Sequence, residues 1–187
     1  MSKTLLKENS MPRPERRYFN FNPNKQPAKQ GLRYPFFRKI DPIVADSIST
    51  IVGTPTGSVT DIQTEADGNV YSVAEIVATP AIDIRITFED VLFFNWLRVM
   101  GAYEGSTSHS IIIQLYNVVT ALFETRQSMF HYPTYNLAAG NDVIGAYECK
   151  VEDSEKYINA GQVILRIAHP MNGNSAHDIH IDYASLY

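Results

Sequence analysis

Cysteine occurs once in the 187 residues, at Cys149. That excludes an intramolecular disulfide and any zinc site built on thiolates, and it leaves the lone thiol to be read as a small core residue. No apolar run approaches the ~20 residues that a membrane-spanning helix needs. The opening Met1-Ser2-Lys3-Thr4-Leu5-Leu6-Lys7 lacks the apolar segment of a secretory signal, so the expectation is a chain made in a cytoplasm and kept soluble. Runs of Ala, Leu, Glu and Lys at helical spacing are missing, which excludes a helical bundle. Acidic residues are scarce at one end only: the first forty residues hold Glu8 and Glu15 against ten Lys or Arg, while the rest holds eighteen acidic and six basic residues. The arm is thus net +8 and the body net −12, for −4 overall.

Six of the ten prolines fall within residues 1–42, so this stretch can neither sustain a helix nor occupy the middle of a sheet. It carries too little apolar surface to offset its own ordering entropy, and a fixed conformation would have to be imposed by a partner. A basic arm invites a nucleic-acid reading, but an acidic body repels a phosphate backbone and no reader motif accompanies the arm. An acidic protein surface is the better match. Arg13, Arg16, Arg17, Arg33 and Arg38 suit bidentate pairing with carboxylates, and Tyr18, Phe19, Phe21, Tyr34, Phe36 and Phe37 suit apolar pockets.

The body has an all-β composition, rich in Tyr, Phe and β-branched residues. Residues 41–56 read as a Pro, Ser, Thr and Gly-rich linker, and residues 57–187 as one folded domain. Within it, residues 58–64 and 69–78 flank an Asp67-Gly68 turn. In 81–88 Ile82, Ile84, Ile86 and Phe88 alternate with Asp83, Arg85 and Thr87, the clearest strand in the chain. The apolar run 91–100 suggests a strand covered on both faces, with Trp96 in the core. Further strands are expected at 110–117, 118–124, 147–151, 162–169 and 177–183, with a long connection at 126–141. The sum is a jelly-roll-type antiparallel β-sandwich preceded by an extended basic N-terminal arm.

Candidate chemistry is thin. In 177–182, alternation places Asp178, His180 and Asp182 on one strand face. One histidine with two carboxylates, spaced ~7 Å apart by the rise of a strand, reads as a polar outer face. A metal would need a ligand from another strand, such as His169. His109 lies among serines, but its strand neighbours point to the opposite face and no strained elbow surrounds them, so hydrolase chemistry finds no support. No catalytic, cofactor or metal residues are assigned. Tyr103, Tyr132, Tyr135 and Asn136 fall in expected loops, where they suit either a subunit interface or stacking on a sugar ring.

The order Ile86-Thr87-Phe88, Phe94-Asn95-Trp96-Leu97, Tyr103-Glu104-Gly105-Ser106, His109, Gln114-Leu115-Tyr116-Asn117, then residues 158–174, His177 and Ile181-Asp182-Tyr183 resembles small β-sandwich virion structural proteins of tailed bacteriophages, of the capsid decoration or cement type. The resemblance spans about residues 80–187 and excludes the arm. It implies a non-enzymatic virion structural protein on the head, neck or tail; joined to the charge segregation of the chain, the expectation is a capsid decoration protein whose arm clamps neighbouring capsid subunits and whose sandwich forms a homo-oligomer such as a trimer. Related sandwiches in a neck, collar or tail fibre would instead bind host surface glycan.

Overall fold

The alternation of 81–88 is realised as β5 (Ile82–Phe88), whose Ile82, Ile84, Ile86 and Phe88 are wholly buried. The computed structural model describes residues 41–105, 109–130 and 145–187. Residues 1–40 lie outside that range, and with them every arm residue named above. So do Tyr132, Tyr135 and Asn136.

Eleven strands are described. They are β1 (Ile43–Val44), β2 (Ser47–Val52), β3 (Thr54–Thr56), β4 (Tyr71–Ala74), β5, β6 (Trp96–Glu104), β7 (Ser110–Asn117), β8 (Leu122–Phe130), β9 (Gly145–Lys150), β10 (Val163–His169) and β11 (Asp178–Leu186). They form two antiparallel sheets, ordered β2-β5-β10-β7-β8 and β3-β4-β11-β6-β9, with β1 paired to the far end of β11. The central strand of each sheet lends a row of side chains to the core. Val163, Leu165 and Ile167 of β10 meet Ile179, Ile181, Ala184 and Leu186 of β11 in one apolar cluster. The result is the expected jelly-roll-type sandwich.

Several boundaries differ from the sequence reading. Segment 41–56, expected as a linker, carries β1 to β3; in β2 the part-buried Ile48, Thr50 and Val52 alternate with the exposed Ser47, Ser49 and Ile51 along an edge of the sheet. Val59–Ile62, expected within a strand, is a 3-10 turn, since Asp61 accepts the Ser58 backbone N–H at 2.6 Å and bends the chain. The expected 91–100 strand starts only at Trp96. Leu92 and Phe93 project from the preceding loop, and Trp96 is 44% exposed rather than in the core. Periodicity cannot separate a doubly covered strand from an apolar loop. Residues 126–130, expected as a connection, extend β8. Cys149 is half-buried against the core, and burial pushes its thiol pKa up.

Register brings the ends of β4, β6, β8 and β10 to one end of the sandwich. Asp178 of β11 lies opposite both Ala74 and Glu104, His169 of β10 lies opposite Ile82, and Ser110 lies opposite Phe130. Segments 75–81 and 170–177 are laced together there: the Glu75 N–H donates to the His177 carbonyl at 2.9 Å and the Gly173 N–H to the Ala78 carbonyl at 3.2 Å.

Candidate functional site

Strand alternation turns the even-numbered apolar residues of β5 inward, which leaves Asp83, Arg85 and Thr87 on the outer face of the five-stranded sheet. The register then sets Ser49, Arg85, Arg166, Gln114 and Thr125 in one transverse row across β2, β5, β10, β7 and β8. Asp83 organises it. Arg85 donates to Asp83 through Nε at 2.9 Å and Nη2 at 3.1 Å, and Arg166 Nη2 donates to Asp83 Oδ2 at 2.9 Å. Arg166 Nη1 donates to Gln114 Oε1 at 3.1 Å, and Gln114 Nε2 donates to Thr125 Oγ1 at 3.2 Å. Five side chains from four strands thus form a continuous hydrogen-bonded layer.

Aromatic surface borders it. The Phe123 ring has the Arg85 guanidinium 4.7 Å and the Arg166 guanidinium 5.2 Å from its centroid, and it meets Tyr116 edge-on at 5.2 Å. Stacking of this kind holds guanidinium planes against a ring and limits their rotation. The Asp83 side chain is 6% exposed and that of Arg85 34%, so the acceptor sits at the floor and the donors reach the surface. Burial alone would raise the Asp83 pKa; the hydrogen bonds and charges of Arg85 and Arg166 outweigh it and hold the carboxyl below its ordinary range. Two cations facing one anion leave this patch net positive on an otherwise acidic body.

A second polar cluster lies inside the sandwich, beneath the loop end. Glu75, fully buried, accepts hydrogen bonds from Tyr103 Oη at 2.7 Å, His169 Nδ1 at 2.6 Å and the Asn174 backbone N–H at 2.8 Å, with His177 Nδ1 at 3.3 Å. His109 packs on His169 with ring centroids 4.8 Å apart. A carboxylate only accepts, so its short bond to His169 places a proton on Nδ1. Burial pushes the His169 pKa below its ordinary value, against the pull of Glu75. Tyr103, expected in an interface or sugar-binding loop, is therefore a core residue of β6 whose hydroxyl is consumed by Glu75, and its pKa is driven strongly upward by burial and by that carboxylate. The cluster ties β4, β6 and β10 to the 170–177 connection.

This gives a pH dependence with a defined sign. An unfolded His169 takes up a proton near pH ~6.5 whereas the folded one resists it, so the unfolded state binds more protons over that interval. Stability is fully present above about pH 6.5 and falls as pH drops below it, by up to ~1.4 kcal/mol per pH unit per histidine. His180, also pushed down by burial, adds in the same direction. Urea midpoints measured from pH 8 to pH 5 should decline, and His169→Gln should flatten the slope; a level wild-type profile would rule this out.

The expected single face of Asp178, His180 and Asp182 is broken by an irregularity in the β11–β6 register between Ile181 and Tyr183. Asp182 accepts the Ala66 backbone N–H at 3.0 Å instead. Asp178 and His180 stay together and gain Glu104 from β6. The outward-facing Asp83, Arg85, Gln114 and Arg166 were readable as polar positions within strands. Their convergence was not, because no local signal says which strands are neighbours.

No protein family matches the chain, and no curated protein does. Among solved structures it is similar to a family 29 carbohydrate-binding module mutant complexed with mannohexaose, at 11% identity and a TM-score of 0.46, covering 78% of this chain and 88% of that one. It is likewise similar to CBM29_1 from Piromyces equi, at 8% identity and a TM-score of 0.47, covering 78% and 87%. At these values the likeness assigns no ligand to this chain.

Proposed function

We propose that the protein is a non-catalytic glycan-binding β-sandwich whose binding surface is the outer face of the five-stranded sheet. The observation that carries this reading is the transverse row fixed by register, in which Asp83, Arg85, Arg166 and Gln114 form one hydrogen-bonded layer beside Phe123 and Tyr116. Vicinal sugar hydroxyls are donors and acceptors at once, and the part-exposed guanidinium groups of Arg85 and Arg166, held in place by Asp83 beneath them, present N–H donors to their oxygens. The apolar face of a pyranose ring stacks on aromatic surface. No group of this layer needs to be created on binding, which keeps the ordering cost low. Glycan-array screening followed by calorimetry is the test. Wild-type protein should bind at least one glycan class, and Arg85→Ala should weaken that binding about tenfold, on the scale of a lost charged hydrogen bond. An array without hits, or an Arg85→Ala variant with unchanged affinity, would refute it.

The charge segregation of the sequence supports a second component. Residues 1–40 act as a tether to an acidic protein surface, and a capsid or other virion protein is the partner that the sequence resemblance suggests. Deleting residues 2–40 should leave glycan affinity unchanged while abolishing retention on particles; retention by the truncated chain would exclude the tether.

A further inference from the structure

Asp178 opens β11 directly opposite Glu104, the last residue of β6, and His180 follows two residues later on the same face. Like charges set opposite one another in an antiparallel pair destabilise it, so an acidic pair at a strand junction suits a cation between them. Here the two carboxylates are joined by an imidazole, and one ligand atom from each of the three residues lies within 4.8 Å of the others.

The histidine is built in rather than loosely placed. His180 is 8% exposed, and Ser72 of β4, its register partner on the other side, holds Nδ1 at 2.7 Å. A hydroxyl held on one ring nitrogen is the outer-shell arrangement that fixes imidazole orientation in metal sites. Three adjacent strands, β4, β11 and β6, therefore each supply one part of the same construction.

We infer that Glu104, Asp178 and His180 bind one divalent transition-metal ion, of the Zn²⁺ or Mn²⁺ type. Two carboxylate oxygens and one imidazole are a borderline donor set, which suits these ions; Ca²⁺ prefers six to eight oxygen ligands and gains nothing from the imidazole. A tetrahedral ion with bonds of ~2.1 Å spaces its ligand atoms ~3.4 Å apart, so the set closes by rotation of the Glu104 and Asp178 side chains, and water completes the shell. The ion clamps the end of β6 to the start of β11.

The test uses the full chain, stripped with EDTA and titrated with Zn²⁺ by calorimetry, with melting followed in parallel. One equivalent should bind and raise the melting temperature by several degrees. Glu104→Gln and Asp178→Asn, made singly because both side chains are part-exposed, should each lose the Zn²⁺-dependent rise in melting temperature and about tenfold or more in affinity. X-ray absorption of the bound ion should report one imidazole among oxygen ligands. Absence of uptake at millimolar Zn²⁺, unchanged affinity in both variants, or a shell with two or more imidazoles would each overturn the assignment. Glycan affinity is read separately in the presence of EDTA and should be unaffected, since Asp83 and its partners belong to the other sheet.

Discussion

Glu75→Ala should be among the most damaging single substitutions in the sandwich, lowering stability by about 3–5 kcal/mol. The carboxylate is wholly buried and serves Tyr103, His169, His177 and the Asn174 N–H. Its removal leaves these groups in the interior without an acceptor, and each orphaned buried donor costs about 1–3 kcal/mol. For a domain of this length that corresponds to a fall of about 10 °C in melting temperature. Glu75→Gln keeps the shape but must turn an N–H toward one of its donors, so a loss of about 1–3 kcal/mol is expected. Hydrogen exchange should locate the damage, with protection lost first at Asn174 and His177. A Glu75→Ala variant melting within 1–2 °C of wild type would mean that the cluster is not structural.

Asp83→Ala should disable the proposed glycan surface, with a loss of at least about tenfold in affinity, and lower stability by about 1–3 kcal/mol. It removes the acceptor shared by Arg85 and Arg166 and leaves two guanidinium groups facing each other on the Phe123 ring. The partial exposure of both arginines screens that repulsion and keeps the cost below that of Glu75. The pH dependence separates the two sites. Because the Asp83 carboxyl is held below its ordinary range, its contribution is complete above about pH 3.9 and is lost only as pH falls through the lower folded value. The histidine cluster weakens the scaffold from about pH 6.5 downward. Titrating binding and stability on one sample should give two distinct transitions; coincident loss of both near pH 6 would place the binding surface at the histidine end instead.

The β-sandwich was legible in the residues because a half-covered strand imposes a period of two, and segments such as 82–88 and 163–169 carry it without interruption. Segments whose pattern is set from a distance were misread. Leu92 and Phe93 look like core but sit in a loop, Tyr103 looks like a loop residue but is core, and 41–56 looks like a linker but supplies three strands. In each case burial depends on which strand arrives from elsewhere in the chain.

Charge segregation, the exclusion of an intramolecular disulfide and the outward placement of Asp83, Arg85, Gln114 and Arg166 within their strands were determined by sequence alone, since they follow from composition and alternation. Only the tertiary structure decided that β5, β10 and β7 lie side by side, that Glu75 meets residues 94 and 99 positions away, and that Glu104 joins Asp178 and His180. Antiparallel pairing between distant segments is chosen by the burial of whole faces. No local pattern encodes that choice, and it is what gathers polar residues into sites.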